Sequence, residues 1–436
     1  MQLTIEKLVY GGDGLARLPA DEQGPGKAVF VPFVLEGERV EAALIEQKRG
    51  FARGRAETIL QASLKRVDPH CPYFQRCGGC HYQHTSYEHQ LEIKAAILNE
   101  NLRRIAKLEL ETEITIHPSP PWNYRNRSRL QVRTAPAFAL GYYKFSSHEL
   151  LPVEECPVSS PLINRGIAAF WQLGRGRAVP HGIHEIEFFT NADDTQLLIE
   201  ASCEPGTAST PIREWAATLP AALPEIAGIV VYHARTSSET AEPRQMAASG
   251  AREIAYRTNP ATYRVSAGAF FQVNRHLISE LVEIVTAGHS GNTALDLYAG
   301  VGLFSTVLCQ RFAQVMAVEA SQTSYADLLH NSPENVKAVR ETTADFLRSP
   351  SGKLRPDLVV VDPPRSGLGE SVVQSLVGLG AHRVTYISCD PATVSRDLAG
   401  LLSAGYRIEQ VHLVDLFPQT YHLESVFHLV REGISQ

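Results

Sequence analysis

Asp296-Leu297-Tyr298-Ala299-Gly300-Val301-Gly302-Leu303-Phe304 closes the apolar run Ala294–Tyr298 and opens a helical pattern. An apolar strand that ends on two spaced glycines is the start of a βαβ unit, with Gly300 and Gly302 allowing a ligand close to the backbone at the sheet's carboxyl edge. Outward from this stretch, the apolar runs Val315–Val318, Leu358–Val361 and Val384–Ile387 are short enough for strands, and helix-length segments separate them. That alternation predicts a mostly parallel, doubly wound sheet from about residue 266 onward, a Rossmann-like α/β unit with helices on both faces.

The glycine pair is neither a G-x-x-x-x-G-K-S/T phosphate loop, because no lysine follows, nor the full dinucleotide fingerprint, because the third glycine is missing. Glu319 ends the next strand, 23 residues after Asp296. An acidic side chain there can accept hydrogen bonds from ribose hydroxyls. The pattern fits a nucleoside without a pyrophosphate, of which S-adenosylmethionine is one. The competing reading is a tight strand–helix turn beside a surface glutamate.

Two more predicted strands end in chemistry at the same edge: Val361-Asp362-Pro363-Pro364-Arg365 and Ile387-Ser388-Cys389-Asp390-Pro391. Cys389, among turn-forming neighbours, is a candidate nucleophile, its thiolate drawn from a thiol with a reference pKa of about 8.5. Glu424 begins a final apolar strand, where a buried carboxylate is costly and suited to proton abstraction. His422 reads as a loop histidine, and Cys203 and Cys309 as core residues.

The chain has 436 residues, 44% hydrophobic and 20% charged, with a net charge of −6. That composition excludes wholesale disorder and argues against unspecific coating of nucleic acid. The first residues lack the apolar core of a secretory signal, and no apolar run is long enough for a bilayer, so the expected location is the cytoplasm. There disulfides are rare, and the seven cysteines must be core residues, ligands or nucleophiles. Cys71, Cys77 and Cys80 form C-x5-C-x2-C, and Cys156 lies far downstream. Four thiols could close an iron–sulfur or zinc shell, and three on one glycine-bearing loop favour a cluster.

Residues 1–58 alternate short apolar runs with glycine turns, as a small OB-like β-barrel does. Lys48, Arg49, Arg53 and Arg55 make its end basic. Residues 59–265 read as a central α+β region. It holds the cysteine loop, a helix over Leu91, Ala95, Leu98, Leu102 and Ile105, and then strands, with an exposed polar loop at 237–250. Arg125, Arg127, Arg129, Arg133 and Lys144, interleaved with Trp122, Tyr124, Phe138, Tyr142 and Tyr143, suggest a platform for single-stranded RNA. A sheet with a solvated arginine face is the competing reading. Residues 266–436 form the doubly wound unit.

Taken together, these motifs resemble the RNA uracil-5 methyltransferases, over nearly the whole length. The N-terminal barrel looks like a TRAM domain, a small RNA-binding module. Phe270-Phe271-Gln272-Val273-Asn274, Asp362-Pro363-Pro364-Arg365, Ser388-Cys389-Asp390-Pro391 and Phe417-Pro418-Gln419-Thr420 with Glu424 match the family's motifs. Leu303 and Ala299 depart from it, some members carrying asparagine and cysteine there.

The resemblance implies S-adenosylmethionine as methyl donor and a [4Fe–4S] cluster on Cys71, Cys77, Cys80 and Cys156. It implies Cys389 as nucleophile at uracil C6 and Glu424 as the base at C5. Gln272 and Asp362 would orient base and cofactor; Tyr298, Gly300 and Glu319 would hold the adenosine, and Asp345 its adenine end. The implied substrate is RNA, with large-subunit (23S) ribosomal RNA favoured over transfer RNA, and no obligate protein partner. A non-catalytic RNA-binding iron–sulfur protein and a cytosine-5 methyltransferase are the alternatives.

Overall fold

The computed structural model describes residues 1–19, 26–234, 244–349 and 354–431. Its carboxyl half is built on an eight-stranded sheet in the spatial order Val336–Val339, Phe312–Val318, Gly291–Leu297, Leu358–Val361, Arg383–Ser388, Glu424–Arg431, Tyr406–Val414, Ile114–His117. The first five strands are parallel. Leu358 and Val360 pack into one hydrophobic core, Val359 and Val361 into another on the opposite face. A strand covered on both faces must be apolar at every position, which is why this stretch carries no polar alternation.

Two features of this sheet differ from the sequence expectation. Glu424–Arg431 runs antiparallel to both neighbours. The edge strand Ile114–His117 comes from the central segment and pairs in parallel with Tyr406–Val414. Strand direction is set by the connection that precedes a strand, and nothing in the Ile114–His117 tetrapeptide marks its partner.

Residues 1–61 form a curled six-stranded sheet around Leu3, Ile5, Val29, Val31, Val34 and Val40. A seven-stranded sheet follows, from Arg127–Arg133 to Gln245–Gly250, with its own core. Helices Pro161–Arg175 and Ser209–Ala222 cover it, where the sequence suggested strands alone. Of the expected loop at 237–250, the part up to 243 lies outside the described residues, while Gln245–Gly250 is a strand paired with Ile226–His233.

The arginine–aromatic platform is largely absorbed by the fold. Arg129 pairs with Glu185 and Glu187, Arg127 pairs with Glu187 and covers Phe189, and Tyr124 is fully buried. Strand pairing puts Glu187 opposite Arg129, so this part of the sheet face is neither an open platform nor merely solvated but paired with carboxylates.

The predicted helix is Tyr87–Asn101, capped by Ser86. Its buried face is Gln90, Ile93, Lys94, Ile97 and Leu98, and Ile105 is exposed. An apolar template misses this face because two of its members are polar. Lys94 Nζ lies 2.6 Å from Asp415 Oδ1 and 3.0 Å from Phe417 O. Gln90 and Gln419 exchange bonds of 3.0 and 2.9 Å. Among the described residues, no helix is long and apolar enough to cross a membrane.

Candidate active site

The carboxyl edge of the parallel strands opens into a cavity of about 620 Å3, a size suited to a small-molecule ligand. Gln272, Tyr298, Gly300, Glu319, Asp362, Cys389 and Glu424 all line it. Four of the strands deliver their next residues there, Tyr298, Glu319, Asp362 and Cys389, because they point the same way. Glu424 arrives by the opposite route, as the first residue of a strand running backwards, with Ser425 in register with Ser388.

The glycine turn is built for close approach. Gly300 and Gly302 have φ of 57° and 90°, in the left-handed region that L side chains rarely adopt. A Cβ on Gly302 would meet Leu328 Cδ1 at 2.9 Å. Glu319 accepts from Gly300 N at 2.8 Å and Ser321 N at 2.7 Å, which fixes its carboxylate at the rim. The helix beyond this turn is short, Ser305–Leu308, and Leu303 and Ala299 both line the cavity.

Asp345 stands apart from the cavity lining. It occupies the first turn of helix Thr343–Arg348, where Thr342 and Asp345 cap each other and Arg348 lies 2.6 Å from its carboxylate. Those bonds hold its pKa below the usual carboxylate range. Its sequence position, just after a strand, does not separate a helix cap from a ligand contact.

Burial dominates the electrostatics of the pocket. Asp362 is pushed up to about 7, by desolvation first and Asp296 second. Glu424 is raised well above the carboxylate range by burial and then by Asp362. Cys389 is pushed up to about 12 by burial, Glu424 and Asp362, with Arg365 opposing. Burial thus favours the thiol over the thiolate that attack requires. Two features favour its ionisation. Arg365 is the one Arg or Lys among the described lining residues. Cys389 also directly precedes Asp390, the N-cap of helix Pro391–Ser403, and a helix N-terminus favours an adjacent anion.

His422, read from sequence as a loop residue, also lines this cavity. Burial and Arg365, whose Nη2 is 3.4 Å away, push its pKa down to about 3. Phe270 is 63% exposed and also lines the cavity. Gln272 Nε2 lies 3.5 Å from Asp362 Oδ2, and Gln272 O accepts from Asn126. Only the Phe-Pro-Gln-Thr run beside His422 signalled its placement.

A second cavity, of about 300 Å3, is lined by Cys71, Cys77, Cys80 and Cys156. Arg125, Arg127 and Arg129 line it as well, and Nε of Arg125 and of Arg127 is buried without a hydrogen-bond partner. Among the described residues, no group of three or more His, Cys, Asp or Glu side chains is arranged to hold a metal ion. Burial raises the thiols of Cys71, Cys77 and Cys80, that of Cys77 to about 11.

A Rossmann-like sheet with a nucleoside-sized pocket at its carboxyl edge, preceded by a small curled sheet, defines an S-adenosylmethionine-dependent methyltransferase with an appended binding module. Residues 86–432 match the model of the tRNA (uracil-5-)-methyltransferases, and residues 1–56 match that of the TRAM domain. The chain is 33% identical to an uncharacterized RNA methyltransferase of Aquifex aeolicus, over 98% of this chain and 97% of that one. It is 32% identical to one of Thermotoga maritima, over 99% of each. The fold is shared with the tRNA (uracil-54, C5)-methyltransferase of Pyrococcus abyssi, solved with S-adenosyl-L-homocysteine. That likeness has a TM-score of 0.76 at 23% identity and covers 99% of this chain and 100% of that one. The chain thus belongs to the tRNA (uracil-5-)-methyltransferase family and is an RNA (uracil-C5)-methyltransferase.

Proposed function

We propose that this protein forms 5-methyluridine in RNA by transient thiol addition, with Cys389 as nucleophile and Glu424 as base. The observation that carries the reading is the convergence of Cys389, Glu424, Asp362, Gln272 and Arg365 on one cavity with the glycine turn and Glu319. Uracil C5 is a poor nucleophile. Addition of Cys389 Sγ to C6 makes it enolate-like, and the Cys389 proton passes to the ionised Asp362 carboxylate, which leaves Glu424 unprotonated as the base. Arg365 stands ready to balance the negative charge that builds on the ring.

S-adenosylmethionine, once bound, supplies an electrophilic methyl group to C5. Glu424 then removes the C5 proton, the C6–S bond breaks, and the ring regains its double bond. Tyr298, Gly300 and Glu319 hold the adenosine end, and Gln272 and Asp362 orient base and cofactor; Asp345 has no part in this account. The target uridine must flip out of any helix to enter.

An iron–sulfur cluster on the four cysteines is part of this reading, supported by the chemistry of the donor set, since thiolates are the ligands such clusters take. Four thiols around one cavity leave room for more than a single ion, and a thiolate-bound cluster is anionic. Nε of Arg125, buried without a hydrogen-bond partner, is a donor suited to such a charge. Burial that opposes ionisation of the free thiols is overcome when iron coordinates them. Cys71, Cys77, Cys80 and Cys156 would hold the cluster, whose part is structural or RNA-positioning because methyl transfer needs no electrons.

The RNA is ribosomal in this reading, drawn from the pairing of a TRAM module with a cysteine cluster. A tRNA uridine is the second reading, favoured by the family's description and by the P. abyssi enzyme of the same fold. Residues 1–58 grip RNA, 59–265 carry the cysteine loop and 266–436 the chemistry, in the cytoplasm.

Two experiments test this. Labelled methyl transfer to RNA should disappear when uridines, but not cytidines, are replaced; the reverse pattern overturns uracil as the target. Mapping 5-methyluridine in total RNA, with and without the gene, separates the ribosomal from the tRNA substrate.

A further inference from the structure

Tyr10 belongs to the Tyr10-Gly11-Gly12-Asp13 turn of the N-terminal module, yet its hydroxyl donates a 2.9 Å hydrogen bond to the carbonyl oxygen of Cys389. Its ring stands edge-on to Tyr421, with centroids 5.4 Å apart. Tyr421 in turn packs against His422 and against His81 of the cysteine loop, at 4.1 and 4.6 Å. The turn itself is seated on that loop: a Cβ on Gly12, at φ +91°, would meet the His81 ring at 3.1 Å. The cysteine loop then holds the segment leading to Glu424, because the backbone N–H groups of His81 and Tyr82 both donate to Gln419 O, at 2.8 and 3.0 Å. Three separate segments of the chain thus meet behind the candidate nucleophile.

We propose that Tyr10 is a positioning residue for Cys389, and that the TRAM-like module completes the back wall of the active site as well as gripping RNA. The proposal rests on the reading of Cys389 as nucleophile. The physical argument concerns the Cys389–Asp390 peptide. Asp390 Oδ1 is committed to Ala392 N and Thr393 N at the start of the following helix. This anchors the carboxyl side of the peptide unit. Tyr10 anchors its carbonyl, and with both ends tied the direction of the Cys389 side chain is limited to its own rotamers. Without the phenol, the carbonyl and the segment carrying it are free to rock within the pocket. RNA bound by the module is thereby mechanically linked to the sulfur that attacks it.

The test is Tyr10→Phe, which deletes one oxygen and keeps the ring on Tyr421. RNA carrying 5-fluorouridine, with S-adenosylmethionine present, serves as the probe: once C5 carries both fluorine and the transferred methyl there is no proton for Glu424 to take, so the methylated adduct persists and can be timed on a denaturing gel. Tyr10→Phe should slow adduct formation and lower kcat about fivefold, the scale of one lost neutral hydrogen bond, with KM for RNA and for the methyl donor unchanged. The melting midpoint should stay within about 2 °C of wild type, since most single changes of this size alter stability little. An adduct rate within twofold of wild type overturns the proposal, as does a loss confined to KM for RNA. Cys389→Ala runs beside it: if that variant still forms adduct, the nucleophile reading itself falls, whereas abolished adduct with an unaffected Tyr10→Phe rate removes only the role of Tyr10.

Discussion

Replacing Lys94 by methionine tests how the catalytic loop is held. Lys94 and Asp415 are both 0% exposed and 2.6 Å apart, so the substitution strands a carboxylate in a dry interior. Breaking a buried pair from one side costs about 3–5 kcal/mol. The stranded acid can escape by taking up a proton. At pH 7 that costs about 4 kcal/mol, since each pH unit above a reference value near 3.9 is worth about 1.4 kcal/mol. At pH 5 the same escape costs only about 1.5 kcal/mol.

The sign follows from linkage. In the variant, the folded state binds this proton more tightly than the unfolded chain, so the acid is tolerated at low pH and penalised as pH rises. At roughly 2 °C per kcal/mol for a large domain, Lys94→Met should lower the melting midpoint by about 8 °C at pH 7 and about 3 °C at pH 5, relative to wild type at each pH. Lys94→Met with Asp415→Asn should lose most of that pH dependence. Thermal melts monitored by tryptophan fluorescence across pH 5–8 measure it. A deficit that is constant with pH, or that deepens in acid, refutes the reasoning.

Four further outcomes are expected. Cys389→Ala should reduce methyl transfer at least about a thousandfold while calorimetric binding of the methyl donor stays near wild type; undiminished turnover excludes the thiol as nucleophile. Glu424→Gln should permit methyl transfer but stall at the covalent protein–RNA product, visible as a shifted band under denaturing conditions, and a variant that turns over without such a band contradicts the base assignment. Protein purified without oxygen should be brown with about four irons per chain, and Cys77→Ser should bleach it; a colourless protein with full activity would remove the cluster. Because burial raises Glu424 and brings Asp362 to about 7, and both are needed ionised, single-turnover rates should fall as pH drops through 7, more steeply than the roughly tenfold per pH unit of a single group. A flat profile from pH 5.5 to 8 would show that neither carboxylate takes part.

The parallel strands were legible because each carries a short apolar run followed by a residue that burial disfavours, so Asp362, Cys389 and Glu319 could be assigned to one edge without a structure. Glu424 was legible as a costly carboxylate, but not the reversed strand that turns it toward Cys389. Lys94 and Gln90 were invisible, since a helical template counts apolar residues and these two are buried through polar partners over 300 positions away. The arginines at 127 and 129 looked like RNA contacts because Glu185 and Glu187, which neutralise them, belong to a strand that pairs with theirs only in the fold. Asp345 lies outside the cavity lining for a local reason: the threonine three residues before it makes a helix cap with it, and a cap and a ligand contact use the same residue types.

The strand Ile114–His117 on the rim of the eight-stranded sheet carries a practical consequence for dissecting this enzyme. Cutting the gene near residue 265 would free Tyr406–Val414 from its neighbour and present bare amide and carbonyl groups to solvent. Such naked borders recruit strands from other molecules, so an isolated carboxyl-terminal fragment should precipitate or self-associate, and a soluble minimal fragment must carry the tetrapeptide with it.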